Sequence, residues 1–456
     1  MIVMKFGGTS VGDAAAVKRL VEIVKSRLKK SPVIVVSALS KATDTLYEIA
    51  ELASSGDFTR SKKLLNELKT RHLNMLTELL GNAGERNSVA AEKVNGYFLD
   101  LLDLIKGVNL LSELSDRSLA KIISFGELLS STIINEALNA NGIKCNIIDA
   151  RDFIFTNGNY LKGEPDLKSI KEKTPAVIKN ALKGYNAVIT QGFISNTLDA
   201  ITTTLGRGGS DYTASLIGMT LNAEEIEIWT DVDGVHTADP RIVKGTKSVA
   251  VMTFEEAAEL AYFGAKVLHP STIQPAVEKD IPVRILNSMF PESPGTLVVN
   301  ADNKHEQGVR SISCKENITV LNIFSTKMLN SYGFLYNLFE VFDKYKTSVD
   351  LITTSEVNVS LTLDSDDRLE EIVNDLSAFS KVSVSRDKSL VCVVGKDLKY
   401  TKGMAKRIFG AAGEYNITMI SQGASSINIS FVVDRSDFKD VLQILHDEFF
   451  ESKTNK

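Results

Sequence analysis

Along the first 300 positions, short and mainly apolar runs alternate with longer stretches whose apolar residues recur at helical spacing. The runs at 2–6, 33–36, 145–148, 187–190, 226–229 and 283–286 read as strands, and the helical stretches between them imply a mostly parallel sheet covered by helices. From residue 43 to about 129 the spacing is almost wholly helical, carried by Leu64, Leu65, Leu68, Leu73, Leu76, Leu79 and Leu80. This predicts a helical insert, about residues 44–129, within the sheet domain. Pro291, Pro294 and Gly295, followed by a polar stretch at 300–307, predict the end of that domain near residue 300.

The remainder contains an internal repeat with an offset of 70 positions: Gly333 matches Gly403, Phe339 Phe409, Tyr345 Tyr415, Asn358 Asn428, Ser360 Ser430 and Asp364 Asp434. Alternation at Val357, Val359, Leu361 and Leu363, repeated at Ile427, Ile429, Phe431 and Val433, predicts half-buried strands. Each copy reads strand, helix, strand, strand, helix. Copy one then gains a strand at 382–385, whereas copy two ends on its helix. Because an unpaired sheet edge invites association, residues 309–314 are expected to supply the missing strand of copy two. The expected divisions are 1–300, a linker and strand at 301–316, copy one at 317–386 and copy two at 387–456.

Composition narrows the function classes. The chain has 456 residues, of which 43% are hydrophobic and 24% charged, enough apolar surface to argue against disorder. No apolar stretch approaches the ~18 residues that span a bilayer, and a net charge of −5 gives no general basic field for nucleic acid. Cys145, Cys314 and Cys392 are scattered and odd in number, which suits a reducing compartment better than a disulfide framework or zinc site. With no signal-peptide pattern at the first residues, a cytoplasmic location is expected.

Three stretches carry candidate chemistry. Lys5 leads from the first strand into Gly7-Gly8-Thr9-Ser10, where glycine permits close backbone approach and the amides of a helix start suit phosphate. Residues 202–214 combine glycines, hydroxyls and Arg207, whose guanidinium can grip a carboxylate with two hydrogen bonds. Residues 229–241 place Asp233-Gly234 and Asp239-Pro240 turns where open α/β sheets bind ligands; their spacing is wrong for an EF-hand, so a nucleotide loop is the better reading. Taken singly, the first stretch also reads as a tight turn and the second as a solvated loop. Glu127, in Ser124-Phe125-Gly126-Glu127, reads alone as a surface residue; Lys266 could reach a phosphate; His269 before Pro270 reads as a packed histidine. No ligand spacing exists among the five histidines, so no direct metal ligand is expected.

Together and in this order, Lys5-Phe6-Gly7-Gly8-Thr9-Ser10-Val11, Val35-Val36-Ser37 with Thr43, Ser124 to Glu127, Gly206-Arg207-Gly208-Gly209-Ser210-Asp211-Tyr212-Thr213, the 230–241 loop and residues 263–270 resemble the aspartate kinases of the amino acid kinase superfamily. The resemblance extends over essentially the whole chain. The repeat is similar to the tandem ACT domains of that family, and residues 348–356 are most similar to its lysine-sensitive class. The fold this implies is α/β: a mostly parallel sheet sandwiched by helices with a helical insert, then two ferredoxin-like βαββαβ units. The implied activity is phosphorylation of the β-carboxylate of L-aspartate by ATP with Mg2+, the first step toward lysine, threonine and methionine.

The resemblance also implies roles. Lys5, Asp211 and Lys266 would be catalytic, with Asp211 orienting Lys5 or organising the metal. Arg207 would clamp the aspartate α-carboxylate and Glu127 its α-ammonium, with Thr43 and Ser210 adding hydrogen bonds. Lys5, Gly7, Gly8, Thr9, Ser10, Thr230, Asp231, His236, Arg241 and Lys266 would hold ATP. His236 departs from the tyrosine common among relatives, and Asp44 stands where asparagine is frequent.

In copy one, Gly333 opens a helix through Phe334 and Leu335, whose free amides suit a carboxylate. The resemblance adds Met328, Ser331, Ser348, Val349 and Asp350 as a pocket for L-lysine acting as inhibitor. An Asp between Val349 and Leu351 is costly to bury unpaired, so a ligand ammonium is expected beside Asp350. A homodimer through the ACT domains, or a tetramer, is implied. Two alternatives stand beside this reading: a kinase for glutamate or acylated glutamate, and an amino-acid sensor with an inactive kinase domain. Against the sensor, Lys5, Glu127, Arg207, Asp211 and Lys266 are all present.

Overall fold

The computed structural model describes residues 1–81, 85–264, 270–300, 307–329 and 332–451. Strands β1 (Val3–Phe6), β2 (Val33–Val36), β3 (Cys145–Ile147), β4 (Ala187–Gln191), β5 (Ile194–Asn196), β6 (Thr202–Thr204), β7 (Ile226–Thr230), β8 (Val251–Thr253), β9 (Val283–Asn287) and β10 (Thr296–Val299) precede the repeat. The repeat contains β11 (Gly308–Phe324), β12 (Ile352–Thr354), β13 (Asn358–Leu363), β14 (Lys381–Lys396), β15 (Met419–Gln422) and β16 (Asn428–Asp434). The helices are α1 (Ala14–Arg27), α2 (Ala42–Ser54), α3 (Phe58–Leu80), α4 (Glu85–Leu111), α5 (Asp116–Ala140), α6 (Leu167–Ala181), α7 (Gly209–Leu221), α8 (Phe254–Tyr262), α9 (Pro270–Glu278), α10 (Phe334–Lys344), α11 (Leu369–Ser377), α12 (Met404–Ala411) and α13 (Phe438–Phe450). Among the described residues no helix is long and apolar enough to cross a membrane.

The chain divides into two compact units, Met1–Gly234 with Leu268–Ala301, and Val235–Val267 with Asp302–Lys456. The compact units do not follow the chain in one cut near residue 300, because residues 235–267 pack with the C-terminal part. In the first unit the strands run in the order β3-β4-β2-β1-β7-β9-β10. All neighbours are parallel except β10, which is antiparallel to β9. Each strand predicted from an apolar run appears within one residue of its expected ends. Parallel strands covered on both faces have few polar positions to blur them, and the four residues of β2 are fully buried.

The helical insert between β2 and β3 runs from α2 through α5, and α5 continues the expected block to Ala140. Asp13 starts α1 by accepting a hydrogen bond from the Ala16 amide at 2.8 Å, a cap worth about 1 kcal/mol. Helix α5 is buried along most of its length from Ala120 to Leu138, so its polar residues are carried inward with the apolar ones. Gly126 makes this possible: a Cβ there would lie 2.8 Å from the Ala38 Cβ, closer than such atoms approach.

The second unit holds a six-stranded sheet, β12-β13-β11-β14-β16-β15. Its central strands are each shared by both copies. Residues 319–324 of β11 pair with β13, and residues 318–324 run along Lys381–Lys388 of β14, whereas residues 308–315 pair with Leu390–Lys396 in the second half of β14. The segment 309–314 thus lies against copy two, and the expected boundaries at 316 and 386 fall inside unbroken strands. One core gathers Leu321, Leu338, Val359 and Ile372 beneath copy one, and another gathers Val391, Ile408, Phe431 and Leu445 beneath copy two.

Candidate active site

The carboxyl ends of β1, β2 and β4 and the start of α7 converge on a cavity of about 350 Å3, within the range of small-ligand sites. Lys5, Gly8, Thr43, Glu127, Arg207, Ser210 and Asp211 all line it, so residues far apart in the chain meet there. The Lys5 ammonium lies 2.7 Å from the Asp211 carboxylate, with both side chains mostly buried but facing the cavity. Ser37 Oγ donates to Ser210 Oγ at 3.0 Å, tying the loop after β2 to the first turn of α7. Arg207 is exposed, projecting from a loop whose flanking Gly206 and Gly208 have φ of 72° and 73°, a conformation glycine adopts without strain.

Glu127 is 3% exposed. Its Oε1 accepts from the Ala38 amide at 3.1 Å, while Oε2 has no hydrogen-bond partner within the protein. Burial pushes its carboxyl up to about 8. A buried oxygen without a partner at the wall of a cavity is a place for a ligand cation. The plain reading of Glu127 as a surface residue fails, because the insert drives α5 into the sheet.

Several nucleotide expectations change. The Gly7 amide donates to the Trp229 carbonyl at 3.0 Å, so it is not free for phosphate. Ser10 is buried, its hydroxyl 3.2 Å from the same carbonyl and 2.8 Å from Ser288 Oγ, and it braces the loop rather than presenting itself to a ligand. Gly8 lines the cavity and Thr9 is exposed. Thr230 and Asp231 lie at the carboxyl end of β7, with Thr230 Oγ1 donating to Asp231 at 3.2 Å.

His236 and Arg241 belong to the second unit. The Arg241 guanidinium is held by both oxygens of Asp239, at 3.0 and 2.6 Å, so its charge is already answered. Hydrogen bonding to Arg241 holds the Asp239 carboxyl below its usual range. The His236 ring is half-buried. Lys266 and His269 lie outside the described residues. Among the described residues no group of three or more His, Cys, Asp or Glu could hold a metal by itself.

Sequence reasoning missed Ser40, Lys41 and Phe193 as cavity-lining residues. Lys41 and Phe193 have φ of 64° and 65°, and such left-handed residues at loop ends leave no mark in an apolar pattern.

In copy one, Gly333 has φ of 81° and opens α10 without a side-chain cap, leaving its first amides available. Phe334 packs in the core while Leu335 is exposed. Met328 and Val349 pack at the edge of the same core, and Ser348 is exposed; Ser331 lies outside the described residues. Asp350 corrects the expectation of an unpaired carboxylate. It accepts from Lys315 Nζ at 2.8 Å and from the Tyr262 hydroxyl at 2.9 Å, so its burial is balanced without a ligand. Lys315 also reaches Asp364 at 2.9 Å. Burial draws the Lys315 ammonium pKa down, but its hydrogen bonds to Asp350 and Asp364 more than reverse this and leave it raised.

Comparison with known proteins bears on both units. Residues 1–287 match the amino acid kinase family and residues 391–449 an ACT domain. The lysine-sensitive aspartokinase 3 of Escherichia coli is 38% identical over 459 residues, spanning 99% of each chain. The chloroplastic aspartokinase 1 of Arabidopsis thaliana is 37% identical over 470 residues, 99% of this chain and 80% of that protein. A crystal structure of E. coli aspartokinase III with aspartate and ADP superposes with a TM-score of 0.84 at 37% identity, covering 99% of this chain and 100% of that one. The same enzyme with lysine and aspartate gives the same score, identity and coverage. With residues 1–287 matched by the family model and identity sustained along nearly the full length, the chain belongs to the amino acid kinase family and, within it, to the aspartokinases.

Proposed function

We propose that this chain transfers the γ-phosphoryl group of ATP to the β-carboxylate of L-aspartate, giving 4-phospho-L-aspartate, the step that opens lysine, threonine and methionine synthesis. The observation that carries the reading is the cavity itself, where the unpartnered Glu127 oxygen and the exposed Arg207 stand around the Lys5–Asp211 pair. Glu127 suits an α-ammonium and Arg207 an α-carboxylate, which favours a free amino acid over an acylated one. Thr43 and Ser210 add hydrogen bonds. The reacting carboxylate needs no base, since a group with pKa about 3.9 is already ionised at neutral pH. The obstacle is bringing an anion to a polyanion, so alignment and positive charge carry the rate.

Lys5, oriented by Asp211, places that charge beside Gly8, and Lys266 is assigned a second charge. Thr9, Thr230 and Asp231 serve the nucleotide. Mg2+ fits a site with so few carboxylates, because it takes most of its ligands from phosphate and water; Asp211 would hold it, and it would offset phosphate charge.

Lysine is the proposed inhibitor, bound at copy one by the first amides of α10 and by Asp350. To be engaged, Asp350 has to exchange Lys315 and Tyr262 for the ligand ammonium, and inhibition requires that lysine favour one of two states of the enzyme. A homodimer through copy one is supported by the exposed Leu329, Tyr332, Leu335 and Tyr336, whose counterparts 70 positions on are Lys399, Lys402, Ala405 and Lys406. The three free cysteines suit the cytoplasm. A hydroxamate assay with ATP tests the activity. Product is expected with aspartate and not with glutamate or N-acetylglutamate, and less of it when lysine is added. Turnover of glutamate in place of aspartate would overturn the substrate assignment.

A further inference from the structure

Behind the cavity, α3 sends one side chain back to the two loops that form its walls. Arg71 Nη1 donates to the Ser40 carbonyl at 2.8 Å, and Nη2 donates to the Gly12 carbonyl at 3.0 Å. Each carbonyl lies one residue before a helix N-cap, Gly12 before Asp13 of α1 and Ser40 before Lys41 of α2. The loops are also pressed together. A Cβ on Gly8 would lie 3.2 Å from the Ala38 carbonyl oxygen, and one on Gly12 would lie 3.3 Å from the Ser40 Cβ. A guanidinium offers its donors in a rigid planar fork, so two carbonyls held by one Arg have their separation set; an ammonium on a flexible stem cannot do this.

We propose that Arg71 is a positioning residue for phosphoryl transfer, setting the distance between the Gly8 loop, which meets the nucleotide phosphates, and the 37–43 loop, which meets the amino acid. The inference rests on the reading given above of where the two substrates bind. Arg71 touches neither of them and acts through Gly12 and Ser40. Without the clamp each loop keeps its own ligand contacts, but donor and acceptor lose their alignment, which in-line transfer tolerates poorly.

The test compares Arg71→Met and Arg71→Lys with the parent in the full chain, varying aspartate and ATP separately and recording Tm. Aspartate-dependent turnover of the parent is established first, so that its absence counts against the activity rather than the clamp. Arg71→Met is expected to lose roughly 100-fold in kcat with both KM values within about threefold of the parent, and Arg71→Lys to fall between the two. Added guanidinium should restore rate to Arg71→Met in a saturable manner, entering by the neighbouring cleft of about 840 Å3 that Arg71 borders with Gly12 and Asn74. A kcat within about twofold of the parent would overturn the proposal, as would a loss confined to KM. If Arg71→Met fails to fold, the decision passes to Arg71→Lys, and full kcat in that variant would also overturn it.

Discussion

Two of the lysine–aspartate pairs, one in each unit, are alike in length and unlike in surroundings. Lys5 and Asp211 are 2.7 Å apart and 11% and 15% exposed, Lys315 and Asp350 2.8 Å apart and 20% and 2% exposed. The first pair faces an open cavity and has room for a third charge. The second is closed over by Tyr262, whose hydroxyl bonds Asp350 and whose ring lies 5.3 Å from the Lys315 ammonium. On the roles proposed above, an ion pair serves chemistry or structure by what its remaining donors can reach, not by its own geometry.

The largest effect expected from breaking this contrast is in the first unit. Lys5→Met should lower kcat roughly 100- to 1000-fold, because it removes charge from the transferring group, and aspartate KM should change little. Near-normal kcat in steady-state assays would refute the role given to Lys5. The second pair should respond in stability. Lys315→Met leaves Asp350 buried with one phenol donor and should cost about 3 kcal/mol by denaturant titration. Asp350→Asn should cost less, since Lys315 keeps Asp364, and it should abolish inhibition by lysine. Unchanged lysine inhibition would remove Asp350 from the pocket.

Glu127 sharpens the contrast as a buried carboxylate with no lysine beside it. Its folded pKa is raised from 4.5 to about 8, so on unfolding between those values the chain releases a proton and stability falls as pH rises. Glu127→Gln should therefore gain in Tm on the parent from pH 4.5 upward and level off above pH 8. In the parent, kcat/KM for aspartate should climb toward pH 8 as the carboxylate becomes free to meet the ammonium. The smallest effect belongs to the exposed pair Lys346–Asp343, where each side chain is about four-fifths exposed; Lys346→Met should leave Tm unchanged.

The strands of the first unit were legible because buried parallel strands are written as apolar runs. The cavity was legible as motifs, yet the engagement of Gly7 and Ser10 was not, since it depends on the Trp229 carbonyl across the sheet. In the repeat, the 70-position offset placed boundaries at 316 and 386, which instead fall beside irregularities in continuous strands, at Asn317 and Asp387, with φ of 58° and 55°. The constant offset also misleads at one place. It equates Asp350 with Ile420, but the register sets Asp350 beside Thr362 and Thr418 beside Val432, the counterpart of Thr362. Copy two is two residues shorter in that turn and holds a threonine whose hydroxyl returns to the Val432 carbonyl. Only register reveals that the carboxylate has no equivalent there.

Strands β11 and β14 each begin in one copy and end in the other, which has a consequence for the proposed feedback inhibition. Neither copy can be excised without leaving half of two strands with no neighbour, and a shift in register along either would reach both cores. On the proposed inhibition by lysine, a substitution in copy two, outside the proposed pocket, is therefore expected to desensitise the enzyme. Selection for lysine-resistant growth should recover such distant changes along Lys388 to Lys396 as well as at the pocket.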